Sequence, residues 1–268
     1  MKHEASLIIP CCYEDEESFI CRAKTLSLQI ELLPLNVQPI IIQQIRHSSD
    51  KWFDAFFSGD RPDIIFDTYN YSGPFNKSWL YNIGVNSSRT RFVILGETDI
   101  IDQYFNSWTE LFNRINKIEN YTWEFGWSYL TYLNKEKTES VREINGPSPG
   151  GPEGGRVIFD KSFYQSIGGA NEFIQGLGGI DNELALRAKH ASGNYEYRIG
   201  NLYHLWHPHS SWKGDDDPEK HRLREMNKKI YAWTKKHPQL CIDKLKRYDN
   251  GGKLPLSETQ KSFYKELN

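Results

Sequence analysis

The stretch Arg91-Phe-Val-Ile-Leu-Gly-Glu-Thr-Asp99 decides the fold that this sequence predicts. Its apolar half has no polar alternation, which is typical of a short strand buried on both faces of a parallel sheet. The apolar half runs directly into the triplet Glu97-Thr98-Asp99. In open α/β sheets ligands bind beyond the carboxyl ends of the strands, and residues two apart in a strand point the same way. The triplet is therefore the first candidate binding site.

The residues before this stretch alternate between strand-like and helix-like segments. Apolar residues at helical spacing predict helices over Glu16–Leu33 and Pro74–Val85, and Gly84 would let the second helix approach the sheet closely. Short apolar runs predict three strands, the first of them ended by its proline. Strand, helix and strand in this order predict right-handed parallel βαβ units. The three predicted strands are Ser6–Pro10, Pro39–Ile45 and Asp63–Asp67.

The residues between Gly151 and His209 combine glycine loops, acidic residues and three histidines. A simple hydrophobic core would not need so much backbone freedom and ligand chemistry in one region. The Gly- and Pro-rich segment Asn145–Gly155, which overlaps the start of this region, predicts a mobile loop. The predicted elements after the triplet are a helix over Ile101–Ile118, a strand over Arg156–Phe159, a helix over Lys161–Ile167, a helix over Asp181–His190 ended by Gly193, and an edge strand over Tyr195–Ile199.

The composition of the whole chain restricts its class. The 268 residues allow one large α/β domain with an appendage, and the formal net charge of −2 argues against nucleic-acid binding by bulk charge. The four cysteines have no CxxC spacing, which favours free thiols in a reducing compartment. No window reaches the roughly 18 apolar residues that span a bilayer. The N-terminus also lacks the pattern of a signal peptide, so the sequence predicts a cytoplasmic protein.

Carboxylates and histidines could together hold a metal ion. Glu97 and Asp99 offer the oxygen ligands that Mg²⁺ and Mn²⁺ prefer, with phosphate oxygens as further ligands. His204, His207 and His209 follow downstream, and the His-x-x-His spacing can place two rings on one face of a turn. The alternative interpretation is a solvated turn with surface histidines. We expect at least one of these histidines to be a metal ligand.

Asp181 follows Gly178-Gly179 at the start of a predicted helix. One interpretation is a helix N-cap, since Asp is a favoured cap residue. The other is a general base that takes a proton from an acceptor hydroxyl. The two conflict, because a helix N-terminus lowers the pKa of a carboxylate, whereas a base at neutral pH needs it raised. The cations Lys77, Arg46 and Arg156 are candidate contacts for a diphosphate or a uracil.

Taken in order, these motifs resemble those of the GT-A-fold nucleotide-sugar glycosyltransferases, in particular the β-1,4-galactosyltransferase and chondroitin-polymerase-like branch (glycosyltransferase families 2 and 7). Phe75–Gly84 is similar to the Phe-Asn-(Arg/Lys)-x-x-x-x-Asn-x-Gly helix that borders the nucleotide there, and Glu97-Thr98-Asp99 stands in the place of Asp-x-Asp. The resemblance covers about residues 5–210. The other similar stretches are Ser6–Pro10, Gly154–Phe159, Gly168–Phe173, Gly178–Glu183 and Tyr203–His207.

The resemblance implies a role for each similar position. Asp99 would bind the metal, with Glu97 near the metal or the ribose, and His204 or His207 would complete the metal site. Asp181 would be the general base. The implied cofactor is Mn²⁺ or Mg²⁺, with a UDP-sugar as the donor substrate. The positions implied to contact the nucleotide are Pro10, Asn76, Lys77, Glu97, Thr98, Asp99, Gly155 and Gly179.

Three positions depart from the family pattern. Glu97 is one methylene longer than the family's first Asp. Leu177 replaces a Trp that in the family touches the acceptor sugar, and Ile180 replaces the first Glu of the acidic cluster. These departures leave the donor sugar and the acceptor open.

The resemblance thus implies an α/β fold of the GT-A type, with a mixed, mainly parallel sheet flanked by helices. Residues 1–212 would form the catalytic domain, with a nucleotide-binding half at 1–105 and an acceptor and metal half at 145–212. Residues 213–268 would form a C-terminal helical extension.

The implied reaction is metal-dependent, inverting transfer of a hexose or N-acetylhexosamine from a UDP-sugar to a hydroxyl of a glycan or lipid-linked acceptor. Membrane association would be peripheral at most, and no nucleic-acid partner is expected. The alternatives are a retaining transferase on the same fold and a non-catalytic sugar-binding module. A nucleotidyltransferase is disfavoured, because Cys11-Cys12-Tyr13-Glu14 replaces the glycine- and base-rich loop expected after its first strand.

Overall fold

The computed structural model describes residues 3–51, 53, 61–102, 105–125, 127, 129–140, 156–176, 178–193, 201–208 and 218–247. The strands within them are β1 (Ala5–Cys12), β2 (Val37–Ile45), β3 (Ile65–Asn70), β4 (Phe92–Leu95), β5 (Ile100–Ile101), β6 (Trp123–Glu124), β7 (Tyr129–Tyr132), β8 (Val157–Asp160) and β9 (Asn201–His204). The helices are α1 (Glu16–Leu32), α2 (Lys77–Ser87), α3 (Phe105–Ile115), α4 (Lys135–Glu139), α5 (Lys161–Ser166), α6 (Ile180–Ser192), α7 (Pro218–Lys236) and α8 (Pro238–Arg247).

Six strands form the larger sheet, in the order β3-β2-β1-β4-β8-β6. The first four strands of the chain run parallel, whereas β8 is antiparallel to both of its neighbours. Every residue of β1 and β4 is buried, because both strands lie inside the sheet and are covered on both faces. The prediction of a mixed, mainly parallel sheet flanked by helices is confirmed.

The first strand continues past Pro10, which the sequence predicted as its end. β1 extends to Cys12, and Pro10 is paired with Ile42 of β2. On the other side, β4 is paired with β1 only as far as Ile8. A proline lacks the N–H of a ladder hydrogen bond. Pro10 is tolerated because at this point β1 has a neighbouring strand on one side only.

The larger sheet separates two hydrophobic cores. Leu7 and Ile9 of β1 face α1 and α3, whereas Ile8 faces α2, α6 and the two C-terminal helices. Gly84 allows α2 to lie close to the sheet, as predicted, because a Cβ atom at this position would collide with Cγ2 of Ile8.

The C-terminal helices α7 and α8 pack against α6 and share its core, to which Leu245 contributes. Glu183 links α6 to α7 and α8 through hydrogen bonds. Its Oε1 accepts hydrogen bonds from Thr234 Oγ1 at 3.2 Å and from the thiol of Cys241 at 3.4 Å. Glu183 also forms an ion pair with Arg187 at 2.8 Å, and neither side chain is exposed to solvent. Helices α7 and α8, which lie within the residues predicted as an extension, therefore complete the core around α6.

The smaller sheet has the order β5-β9-β7. β5 is antiparallel to β9, which in turn is parallel to β7. Because β5 begins directly after Asp99, this sheet joins the end of β4 to the segment that carries the histidines.

Some predicted segments differ from the structure or lie outside its described residues. The third strand is displaced from Asp63–Asp67 to Ile65–Asn70, and the helix predicted over Ile101–Ile118 is α3 (Phe105–Ile115), with Ile101 in β5 instead. The sequence did not indicate β5, β6, β7, β9 or α4. The predicted loop Asn145–Gly155 and the predicted edge strand Tyr195–Ile199 lie outside the described residues. All four cysteines are free thiols, as predicted. In the part of the chain that the structure describes, no helix has the length and apolar character needed to cross a bilayer.

Candidate functional site

The acid triplet lies directly beyond the carboxyl end of β4, as its sequence predicted. Helix α1 fixes the backbone of the triplet. Thr25 Oγ1 donates a hydrogen bond to the carbonyl of Thr98 at 3.0 Å, and Gln29 Nε2 donates to that of Glu97 at 3.1 Å. Since both donors are buried, the triplet is part of the packed structure and not a free turn.

The smaller sheet brings two histidines to the triplet. Ile100 of β5 pairs with His204 of β9, and the amide of Leu205 donates to the carbonyl of Asp99 at 2.8 Å. Nε2 of His204 lies 3.8 Å from Oδ2 of Asp99, and Nε2 of His207 lies 2.9 Å from the same oxygen. One ligand atom from each of these three side chains lies within 4.8 Å of the others.

Asp99, His204 and His207 suit a divalent metal ion. Oδ1 of Asp99 is buried without a hydrogen-bond partner among the described residues, so it has a free acceptor position. Nδ1 of His207 lies 2.9 Å from the carbonyl oxygen of Pro208, which favours a proton on Nδ1 and a lone pair on Nε2. Two ligand atoms about 2.1 Å from an ion and at right angles lie roughly 3 Å apart. The 2.9 Å between Asp99 and His207 agrees with that arrangement.

The charges of this cluster depend on one another. Burial raises the pKa of the Asp99 carboxyl, but the hydrogen bond from His207 and the charges of His204, His207 and Arg22 outweigh burial and lower the pKa. Burial lowers the pKa of His207, whereas its hydrogen bond to Asp99 and the charge of Asp99 outweigh burial and raise it. A bound metal ion would replace the imidazole proton that Asp99 stabilises.

Glu97, the second predicted metal ligand, does not join the cluster. Its carboxylate forms an ion pair with Lys77, the first residue of α2. Burial lowers the pKa of Lys77, but the charges of Asp181 and Glu97 outweigh burial and raise it. Lys77 therefore lies within electrostatic reach of both carboxylates.

Asn76, predicted to contact the nucleotide, supports the start of α2. The side chain is fully buried. Its Oδ1 accepts from the amide of Trp79 at 3.0 Å, and its Nδ2 donates to the carbonyl of Glu172 at 2.9 Å. Asn76 thus fixes the helix that presents Lys77, and its amide is already engaged within the protein.

A cavity of about 90 Å³ opens beside the triplet. Pro10, Lys77 and the whole triplet, which are five of the positions predicted to contact a nucleotide, line this cavity. Arg22 of α1 and Glu14 line it too, although the sequence did not indicate either. Nη1 of Arg22 lies 3.3 Å from Oε2 of Glu14, and 14% of the Arg22 side chain is exposed. Nothing in the sequence distinguishes this arginine from a surface cation. Its position in the cavity follows from the packing of α1 across the end of β4.

Asp181 lies in the first turn of α6 and is half-buried. The cap position belongs to Gly179, whose φ of 88° is in the left-handed region that glycine adopts readily. The interpretation of Asp181 as the N-cap is therefore wrong. Burial raises the pKa of Tyr81, and the charges of Glu97 and Asp181 add to that rise. Asp181 is thus close enough to Lys77 and Tyr81 for its charge to act on both.

An exposed aromatic ring borders the cluster. Tyr132, at the end of β7, is 69% exposed. Its ring centroid lies 4.7 Å from that of His204, with an angle of 32° between the ring planes. The site therefore has an open aromatic surface beside the candidate metal ligands.

The remaining candidates either do not line this cavity or lie outside the described residues. Arg156 is buried between Trp108 and Trp127, with its guanidinium carbon 5.3 Å from each ring centroid. Arg46 donates to the carbonyl of Tyr13. The candidates outside the described residues are Gly155 and His209.

Comparison with known proteins shows the fold. No family model matches the sequence, and no curated protein matches it. GalNAc-T7 with UDP, GalNAc and Mn²⁺ superposes with a TM-score of 0.54 and 12% identity over 100% of this chain and 55% of that chain. Glucosyl-3-phosphoglycerate synthase from Mycobacterium tuberculosis, with Mg²⁺ and UDP, gives a TM-score of 0.51 and 13% identity over 86% of this chain and 77% of that chain.

A mannosyltransferase from Pyrobaculum calidifontis, with GDP-Man and Mn²⁺, gives a TM-score of 0.51 and 9% identity over 98% of this chain and 80% of that chain. These are structures of GT-A glycosyltransferases, and at such low identity the likeness concerns the fold alone. The chain has the GT-A fold, which confirms the predicted fold class.

Proposed function

Starting from the GT-A fold, we propose that this protein is a metal-dependent glycosyltransferase that moves a sugar from a nucleoside-diphosphate sugar to an acceptor hydroxyl. One observation carries the proposal: Asp99, His204 and His207 converge at the carboxyl end of β4, with a buried carboxylate oxygen of Asp99 left without a hydrogen-bond partner among the described residues. The cavity beside Asp99 also contains two cations, Lys77 and Arg22, which suit a phosphate-bearing ligand.

In this proposal Asp99, His204 and His207 hold the metal ion, as their three ligand atoms lie within 4.8 Å of one another. The ion would neutralise negative charge on the leaving diphosphate. Mn²⁺ or Mg²⁺ is the proposed ion, and Mn²⁺ is favoured because two imidazoles among three ligands suit Mg²⁺ poorly. The neighbours solved with Mn²⁺ or Mg²⁺ support this choice.

The transfer is proposed to be inverting, with Asp181 as the general base. Asp181 lies in the first turn of α6, and its charge raises the pKa of Lys77, which lines the cavity. It would take the proton from the acceptor hydroxyl as that oxygen attacks the anomeric carbon. Tyr132, exposed beside His204, supports a saccharide acceptor, either a glycan or a lipid-linked one, since its open ring face can pack against a sugar.

Removing one imidazole should weaken the metal site. Loss of a residue that only hydrogen-bonds to a metal ligand typically weakens metal binding by roughly 10- to 100-fold. Because His207 is proposed as a ligand itself, the His207→Ala variant should lose at least that much affinity for Mn²⁺. Titration of Mn²⁺, followed by the electron paramagnetic resonance signal of the free ion, measures this. His190→Ala, which removes an exposed histidine of α6, is the matched control. Unchanged Mn²⁺ affinity in His207→Ala would exclude His207 as a ligand.

The function itself is tested by calorimetric titration with UDP, with and without Mn²⁺. We expect UDP to bind only when Mn²⁺ is present, and the Asp99→Asn variant to lose that binding, because Asp99 is the only carboxylate of the described cluster. The matched control is Asp243→Asn, which removes a carboxylate on α8. A panel of UDP- and GDP-sugars then identifies the donor, and the anomeric configuration of the product, read by NMR, separates inversion from retention. An absence of metal-dependent binding to any nucleotide would contradict the proposal and favour a non-catalytic sugar-binding module.

A further inference from the structure

Two cations in the cavity beside Asp99 are each held by a carboxylate. Lys77 pairs with Glu97, and Arg22 lies 3.3 Å from Glu14. Both pairs line the same cavity as Asp99. The charges of these five groups sum to −1 when all are ionised, so no cation in this set is left to attract an anion while both pairs persist.

The pairing of Arg22 is incomplete. A charge-assisted N–H···O bond to a carboxylate usually spans about 2.7–2.9 Å, shorter than the 3.3 Å found here. Nε of Arg22 and Oε2 of Glu14 are both buried and have no hydrogen-bond partner among the described residues. Leaving the N–H of Arg22 Nε unsatisfied is costly, so the geometry indicates an acceptor that belongs to a bound ligand.

Two arginines that hold the fold together, Arg61 and Arg187, are bonded differently. The guanidinium of Arg61 donates to the carbonyls of Leu33 and Val37 at 2.9 Å and to both carboxylate oxygens of Asp63. Arg187 donates to both carboxylate oxygens of Glu183 in the core. Among the described residues the Arg22 guanidinium has one long contact, to Glu14, which distinguishes it from Arg61 and Arg187.

The chemistry of the cavity identifies the ligand class. A guanidinium fork matches the oxygens of carboxylate and phosphate groups, and an ammonium group binds phosphate as a point charge. Burial lowers the pKa of Arg22, but the charges of Glu14 and Asp99 outweigh it and raise the pKa, which places the guanidinium near the metal ligand. An anion with several oxygens that also reaches the metal cluster is required, and a diphosphate meets this requirement.

We propose that Arg22 and Lys77 form a diphosphate subsite in which Glu14 and Glu97 hold the two cations until phosphate oxygens replace them. The inference rests on the proposed function, since it takes the diphosphate to be that of the sugar donor. Binding exchanges one set of ion-pair partners for another. The two carboxylates compete with the ligand, and a loss of either should strengthen binding.

Calorimetric titration in the presence of Mn²⁺ tests the subsite with three probes: UDP, uridine and inorganic pyrophosphate. The Arg22→Gln variant should bind UDP and pyrophosphate about tenfold or more weakly, because it loses a charge-assisted bond. Its binding of uridine should equal that of the wild type. Arg22→Lys should recover part of the loss. Glu14→Gln should bind UDP and pyrophosphate more tightly than the wild type, an effect that a purely structural arginine would not produce.

The exposed pair Arg222 and Glu219 on α7 supplies matched controls. Arg222→Gln and Glu219→Gln change the net charge by the same amounts and should leave all three titrations unaltered. Thermal unfolding of each variant shows whether the fold is intact, and the tighter binding expected of Glu14→Gln needs a folded protein.

The outcomes separate this inference from the proposed function. If the wild type binds UDP with Mn²⁺ while Arg22→Gln binds it equally well, the subsite is wrong and the proposed function stands. Weaker UDP binding in Glu14→Gln would also overturn the subsite. If the wild type binds pyrophosphate through Arg22 but binds neither UDP nor GDP, the subsite stands and the proposed function fails.

Discussion

Replacing Asp181 by asparagine should lower the turnover of sugar transfer by roughly 10²–10⁴-fold, the range that a positioned general base contributes. Asparagine keeps the shape of the side chain but cannot accept the proton of the acceptor hydroxyl. The metal cluster and the cation pairs lie on other elements, so the affinity for UDP and Mn²⁺ should stay within about threefold of the wild type, the margin that roughly 0.6 kcal/mol allows. The loss should therefore appear in kcat and not in donor binding.

The measurement is single-turnover transfer from the donor found in the nucleotide-sugar panel, with UDP binding measured in parallel. Asn182→Ala is the matched control, because Asn182 is exposed in the same turn of α6. Full transfer activity in Asp181→Asn with normal UDP binding would exclude Asp181 as the base. It would direct attention to a retaining mechanism, which the product anomer reports.

Replacing Glu183 by alanine should lower the free energy of unfolding by about 3–5 kcal/mol, the cost of breaking a buried ion pair from one side. Arg187 would be left charged in the core, since its only carboxylate partner among the described residues is Glu183. The variant would also remove the acceptor for Thr234 and Cys241, which join α7 and α8 to α6. Chemical denaturation followed by circular dichroism measures the change.

The exposed pair Glu219 and Arg222 again offers a control. Glu219→Ala removes an ion pair whose side chains are about half exposed, and pairs of this kind contribute roughly 0–1 kcal/mol. We expect one cooperative transition in all variants, because α6, α7 and α8 share a core. A separate transition for the C-terminal helices, or a loss near zero in Glu183→Ala, would contradict this account.

The sequence was most informative where one local pattern decides the structure. The apolar runs of β1, β2 and β4 need burial on both faces, and only an inner position in a sheet provides it. Asp99 and the His-x-x-His segment carry ligand chemistry in a recognisable order, and the structure brings Asp99, His204 and His207 together. The two-residue strands β5 and β6 have no periodic pattern of their own, because tertiary pairing alone defines them.

The sequence was least informative where the outcome depends on partners distant in the chain. Glu97 resembles a second metal ligand until α2 places Lys77 beside it. Arg22 gains its position only because α1 crosses the end of β4. Asp181 resembled a cap residue, but Gly179 reaches the left-handed conformation more easily and takes that position. None of these results can be obtained from local propensity.

The shared core of α6, α7 and α8 also determines when this protein can complete its folding during synthesis. Ile230, Ile242 and Leu245 contribute to the core around α6 from positions late in the chain. A nascent polypeptide that ends before them leaves that part of the core open to water, and Glu183 lacks the donors Thr234 and Cys241. Since cooperative units fold as a whole, the helix that carries Asp181 reaches its final place only after Leu245 has emerged from the ribosome. Until then the growing chain has apolar surface for chaperones to cover.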